Sequence, residues 1–159
     1  MLRLVVMGVS GCGKTTLGAA LAARLGVAFV DADDLHPPAN RAKMAAGVAL
    51  TDADRWPWLD LVAEALHDRA PVVVACSALR RAYRDRLREA GGEGVRFLHL
   101  AAPREVIAAR LAARRGHFAA ASLLDSQYAT LEPPGPDEAL TLDARLPPDA
   151  LLAEALARL

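Results

Sequence analysis

Short, nearly continuous apolar runs alternate along the chain with segments whose apolar positions recur at helical spacing. Leu2 to Met7 is such a run, bounded by Gly8, and reads as a strand buried on both faces, as in a parallel sheet. From Thr15 the apolar positions Leu17, Ala20, Leu21 and Leu25 follow a helix, and Gly26 stands where a C-terminal cap belongs. Val27 to Val30 reads as a second buried strand. Beyond the His36-Pro37-Pro38 break, Asn40 to Met44 is expected to be helical, and Trp58 to Asp68 to form a longer helix starting just after Pro57. Val72 to Ala75 and Val95 to Leu100 read as strands, Tyr83 to Ala90 and Pro103 to Arg115 as helices. Leu131 to Asp137, with Pro133, Pro134, Gly135 and Pro136, is a loop. A short strand at Ala139 to Leu142 and a helix at Asp149 to Arg158 complete the pattern. Alanine repeats at Ala119 to Ala121, but no internal repeat runs through the chain.

Strands alternating with helices imply an α/β fold: a parallel five-stranded sheet with right-handed crossovers and helices on both faces. Ligands are expected at the C-terminal strand ends. The 159 residues fit a single domain, 1–159, and 53% hydrophobic against 24% charged residues suits a compact globule. The 19 basic and 19 acidic side chains cancel, which argues against a nucleic-acid partner. No apolar run reaches the roughly 18 residues of a membrane helix. Two cysteines, Cys12 and Cys76, are too few for a disulfide framework and point to a reduced, cytoplasmic setting.

The sharpest chemical signal is Gly8-Val9-Ser10-Gly11-Cys12-Gly13-Lys14-Thr15, which fits G-x-x-x-x-G-K-S/T between an expected strand and an expected helix. In such a loop glycines let successive backbone N–H groups converge on an anion, and the helix N-terminus adds a favourable dipole. Gly8, Ser10, Gly11, Cys12, Gly13, Lys14, Thr15 and Thr16 are therefore expected to cradle the phosphates of ATP. Lys14 would reach the β- and γ-phosphates, and the Thr15 hydroxyl would ligate Mg²⁺. The expected fold is accordingly a P-loop nucleotide-binding fold.

Asp31, Asp33 and Asp34 follow the second strand and would lie beside the phosphate loop if the first two strands are near neighbours. Asp33 is assigned as the base that accepts a proton from a substrate hydroxyl, and Asp31 as the carboxylate holding the Mg²⁺ hydration shell. The sequence does not fix which of the two is the base. Asp34 reads as a helix cap. His36, extended ahead of Pro37, is a candidate hydrogen-bond donor to substrate.

Taken in order, Gly8 to Thr16, Asp31 to Pro37, Asn40 to Met44, Leu50 to Arg55 with Pro57-Trp58-Leu59, Ala75 to Leu79, Tyr83-Arg84-Asp85, Gly116-His117-Phe118 and Ser126-Gln127 to Glu132-Pro133 resemble successive blocks of the gluconokinase family. The resemblance runs to about Pro134. It implies a fold similar to nucleoside monophosphate and shikimate kinases, transfer of the ATP γ-phosphoryl group to D-gluconate to give 6-phosphogluconate and ADP, and a homodimer. Cys12 stands at a loop position where the family often has Ser, and Arg80 and Arg81 where it often has Lys.

A gluconate carboxylate calls for a planar guanidinium fork, and Arg55 is the candidate, with a surface ion pair to Asp52 or Asp54 as the alternative reading. It belongs to a substrate-holding insertion at about 36–68. Ser77 and Arg80, in the loop after the third strand, are expected to contact substrate, with a helix cap as the alternative for Ser77. The resemblance adds His117 and Gln127 on the substrate side. A lid is expected at about 110–128, where Arg110 and Arg114 share a helix face: Arg110 would contact the nucleotide and Arg114 the transferring phosphoryl group, unless these arginines only offset the helix dipole. A kinase of another small acceptor and a non-kinase ATP-binding switch remain as alternatives.

Overall fold

The computed structural model describes residues 1–113 and 118–159, with side chains outside 114–122. Five parallel strands form one sheet: β1 (Arg3–Met7), β2 (Ala28–Asp31), β3 (Val72–Ala75), β4 (Arg96–Ala101) and β5 (Leu140–Asp143), in the order β2-β3-β1-β4-β5. The register runs level across β2, β3 and β1, with Asp31 opposite Ala75 and Ala75 opposite Val6. The expected strand positions hold to within a residue. The first two strands are near neighbours but not adjacent, because β3 lies between them.

The helices are α1 (Lys14–Leu25), α2 (Pro38–Ala45), α3 (Asp52–Asp68), α4 (Arg81–Ala90), α5 (Arg104–Ala112), α6 (Phe118–Thr130) and α7 (Pro148–Arg158). Alternate residues of β1 feed two cores. Leu4 and Val6 face a cluster that includes Leu17 and Leu21 of α1, Ile107 and Leu111 of α5 and Leu151 of α7. Val5 and Met7 face Trp58, Leu59, Val62 and Leu66 of α3 and Tyr83 and Leu87 of α4. All four β1 residues have no exposed surface, which is why this strand reads as an unbroken apolar run.

Two expectations about helices are corrected, and one helix is added. The longer helix of the insertion begins at Asp52, not after Pro57. Its start is fixed by a capping box: the Thr51 hydroxyl accepts the Asp54 N–H at 3.1 Å and the Asp54 carboxylate accepts the Thr51 N–H at 2.9 Å. Pro57 therefore sits inside the helix, where it lacks the N–H that Ala53 O would have accepted. Asp34 caps no helix among the described residues: Asp31 caps the short 3-10 turn Ala32–Leu35, and α2 starts at Pro38, with Pro37 at the N-cap position and no side-chain cap. Residues 118–130 form a helix, α6, that the sequence pattern does not announce.

Candidate active site

At the C-terminal end of β1 the chain turns through Gly8 and wraps a loop around the N-terminus of α1. Gly8 has φ +149°, and a Cβ there would stand 2.7 Å from Cys12 Sγ and 2.8 Å from Leu100 O. Gly13, the residue ahead of α1, has φ +100°. Both positions need glycine, the first for space and both for backbone conformation. Cys12 is buried against Gly8, and burial pushes its thiol up, with Lys14 opposing. It packs; its backbone serves the loop.

Asp31 reaches the loop in spite of the intervening β3. Its Oδ2 accepts from the Thr15 hydroxyl at 3.2 Å, and its Oδ1 accepts the Asp33 N–H at 3.0 Å. Hydroxyl and carboxylate are the hard oxygen donors that Mg²⁺ prefers. Among the described residues no group of three His, Cys, Asp or Glu could hold a metal without further ligands, so such an ion would depend on phosphate and water oxygens as well.

Lys14 and Asp33 line one cleft together with Ser10, His36, Arg55, Trp58, Ser77 and Gln127. Asp33 has an open face to this cleft, yet the protein around it desolvates the carboxylate and raises its pKa; Lys14 opposes the shift and Asp31 adds to it. His36 is buried, stacked on Trp58 with ring centroids 4.1 Å apart. Burial, then Arg41 and Arg55, lower its pKa to about 4. Asn40 places its Nδ2 3.2 Å from His36 Nδ1 while donating to Asp54 O at 3.0 Å. An amide nitrogen only donates, so His36 Nδ1 accepts and Nε2 carries the proton. The neutral ring is thereby set up as a donor.

Arg55 lines the cleft with its side chain 12% exposed; its Nη1 donates to Tyr83 Oη at 2.9 Å and lies 3.7 Å from Asp52 Oδ1. Asp54 is engaged elsewhere, by Lys43 at 2.7 Å. Ser77 lines the cleft too and caps no helix, since α4 follows Arg80. Ser77 O accepts the Gly8 N–H at 3.3 Å, which ties the β3 loop to the phosphate loop. Arg80 is not among the residues that line the cleft; its side chain is 45% exposed and lies 3.9 Å from Asp52. Gln127, on α6, accepts the Ser10 N–H at 2.7 Å and donates to the Ser10 hydroxyl at 2.9 Å, joining α6 to the phosphate loop.

On the other side of the loop lies a cavity of about 350 Å³ lined by Gly11, Gly13, Thr16, Arg110, Pro148 and Leu152 among others. Arg110 donates to Ala144 O. Arg114 and His117, the other two lid candidates, lie outside the described residues.

Arg84 was not singled out by its chemistry in the sequence, yet it organises the β3 loop. Its side chain is 1% exposed. It donates to Ala78 O at 2.8 Å, Leu79 O at 3.1 Å, Glu132 O at 2.8 Å and the Glu138 carboxylate at 2.6 Å. Ala78 has φ +46°, so the loop holds a conformation uncommon for a residue with a side chain. Its partners lie up to 54 residues away, so no local sequence pattern could have revealed this role.

A phosphate loop on β1, a carboxylate at the end of β2 facing it and the order β2-β3-β1-β4-β5 define a P-loop kinase. A family model described as "AAA domain" matches residues 4–134. The chain is 49% identical over 158 residues to a gluconokinase of Gluconobacter oxydans, covering 95% of this chain and 87% of that protein. It is 41% identical over 162 residues to a thermoresistant gluconokinase of Escherichia coli, covering 96% and 90%. Among solved structures, a gluconokinase from Sinorhizobium meliloti superposes with a TM-score of 0.91 at 48% identity, covering 98% and 90%. A shikimate kinase from Aquifex aeolicus, at 17% identity and TM-score 0.58, shares the fold alone. The chain belongs to the gluconokinase family.

Proposed function

We propose that this protein transfers the γ-phosphoryl group of ATP to the 6-hydroxyl of D-gluconate, giving 6-phosphogluconate and ADP. The observation that carries this reading is the convergence in one cleft of Lys14, a carboxylate at Asp33, a neutral histidine donor and the Arg55 guanidinium. These are an anion cradle, a base, a hydroxyl partner and a carboxylate partner, which is what phosphorylation of a polyhydroxy acid requires.

In this reading the backbone of Gly8 to Thr16 and the Lys14 ammonium hold the phosphates, and Arg110 with the cavity beside it takes the nucleotide's base. Thr15 and Asp31 would hold Mg²⁺, which when bound neutralises charge on the phosphate oxygens. Arg55 receives the gluconate carboxylate. His36, Ser77 and Gln127 meet its hydroxyls, and Arg80 lends charge at the rim. Asp33 accepts the proton of the 6-hydroxyl as the new oxygen–phosphorus bond forms and the bond to the ADP oxygen breaks, and its raised pKa makes it a stronger base than a surface aspartate. Residues 36–68 serve as the acceptor-holding insertion and 110–128 as a lid, with Arg114 and His117 acting from it. The whole chain works as one domain, in the cytoplasm and as a homodimer. No helix among the described residues is long and apolar enough to cross a membrane, which is compatible with that setting.

The test is ADP release from Mg-ATP with gluconate, shikimate, other sugar acids and nucleoside monophosphates offered separately. Turnover with gluconate at a kcat/KM well above every other acceptor is the expected result. Preferred turnover of another acceptor would move the substrate assignment, and acceptor-independent turnover would favour a nucleotide switch.

A further inference from the structure

Arg55 is built into the cleft wall by two residues that the cleft itself does not expose. Its guanidinium carbon lies 5.3 Å from the centre of the Tyr83 ring, and its Nη1 donates to the Tyr83 hydroxyl. That ring is buried and braced edge-on by Trp56 at 5.6 Å. The Tyr83 hydroxyl donates its own proton to Asp52 Oδ1, so towards Arg55 it acts only as acceptor. The second Asp52 oxygen lies 3.9 Å from Arg80 Nη1.

Asp52 is the first residue of α3, but the cap of that helix is already complete in Thr51 and Asp54. Asp54 is held by Lys43 and Thr51, which keep its carboxyl at about 2, so it is not available to Arg55. Asp52 is thus left to Tyr83, Arg55 and Arg80. With Nη1 committed to Tyr83, the Nε and Nη2 groups of Arg55 have no protein partner among the described residues, and the side chain lines the cleft. A planar fork held by one edge presents its other edge in a fixed orientation, and that is how guanidinium groups gain specificity for carboxylates.

We propose that Tyr83 and Asp52 are positioning residues for acceptor recognition: through the Tyr83 hydroxyl and the Asp52 carboxylate they fix Arg55, and draw Arg80 towards it, so that one anion-binding face meets the carboxylate of the sugar acid. Neither residue touches substrate. The inference rests on the assignment of Arg55 to that carboxylate.

The experiment is steady-state kinetics on wild type, Tyr83→Phe, Asp52→Asn, Arg55→Lys and the Arg55→Lys/Tyr83→Phe double variant, with thermal melts as a check on folding. Tyr83→Phe keeps the buried ring and loses only the hydroxyl. It should raise KM for gluconate about tenfold, the effect of one hydrogen bond to a charged group, while KM for ATP stays within about twofold of wild type. Asp52→Asn should do the same. In the Arg55→Lys background, removal of the hydroxyl should add less than about twofold, because the group it positions is gone. The proposal is overturned if Tyr83→Phe leaves the gluconate KM unchanged, if both KM values rise together, or if the two substitutions multiply. If Arg55→Lys itself leaves the gluconate KM at the wild-type value, the carboxylate assignment fails and the positioning role falls with it. If Arg55→Lys raises that KM and Tyr83→Phe does not, the positioning role alone fails.

Discussion

Replacing Arg84 by Met keeps most of the buried stem and removes the charge, which tests whether the loop after β3 is held as the structure implies. Arg84 donates to three carbonyls, those of Ala78, Leu79 and Glu132, and to the Glu138 carboxylate. Burial alone would push the Glu138 carboxyl up; the hydrogen bonds from Arg84 and Arg88 outweigh it and hold the group below its ordinary range. With Arg84 gone, Glu138 keeps only Arg88, at 2.8 Å, and stays 5% exposed. Removing one partner of a buried ion pair costs about 3–5 kcal/mol. The surviving Arg88 contact argues for the lower half of that range, and carbonyls left without a donor for the upper half, about 1 kcal/mol each where water cannot enter. We expect a loss of about 3–4 kcal/mol by urea denaturation followed by circular dichroism, and a Tm lower by about 10 °C at this chain length. Arg84→Met/Glu138→Met should recover at least half of the loss, since an apolar pair leaves no buried charge, and Arg88 retains Asp85 at 2.8 Å. A loss below about 1 kcal/mol for Arg84→Met, or a double variant worse than the single one, would refute the reasoning.

Two further outcomes follow from the titrating groups. Asp33→Asn should lower kcat by about a thousandfold, the scale of a lost general base, with ATP affinity near wild type by calorimetry; because burial raises the Asp33 pKa, the acid limb of the wild-type kcat/KM profile should lie above the ordinary value of 3.8, and an active Asn variant would remove Asp33 from the base role. His36 and His99, both buried, have pKa values lowered from 6.5 to about 4, so between those values the unfolded chain binds protons that the native chain does not, and stability falls as pH falls through that window. At pH 5 each should contribute about 2 kcal/mol to that loss relative to pH 8; urea midpoints that do not move between pH 8 and pH 5 would show that the two rings are not held neutral.

Much of the sheet was legible because parallel strands buried on both faces leave unbroken apolar runs, as at Leu4 to Met7 and Val72 to Ala75. The phosphate loop was legible because its chemistry is local, with glycine, lysine and threonine at fixed offsets. The start of α3 is hard to place because Pro57 suits a first turn, although Thr51-x-x-Asp54 carries the capping signal that the structure uses. The helix α6 escaped because Ala119 to Ala121 blur the contrast between its faces, and only the helix preference of alanine marked it. The insertion of β3 between β1 and β2 leaves no mark in either strand's own residues, and Asp31 reaches Thr15 across that gap only because the strand ends are level. The Arg84 centre and the Arg55–Tyr83–Asp52 chain depend on contacts between distant segments, which spacing along the chain cannot encode.

The most direct test of the central claim is the stoichiometry of one reaction: Mg-ATP and gluconate are incubated with the enzyme, ADP is quantified, and the phosphorylated product is identified by mass and by phosphorus NMR. The expected result is one 6-phosphogluconate for each ADP, with the phosphate on the terminal hydroxyl oxygen. ADP accompanied by free phosphate, or a phosphate on another oxygen of the acceptor, would contradict the account of how Asp33, Lys14 and Arg55 share the cleft.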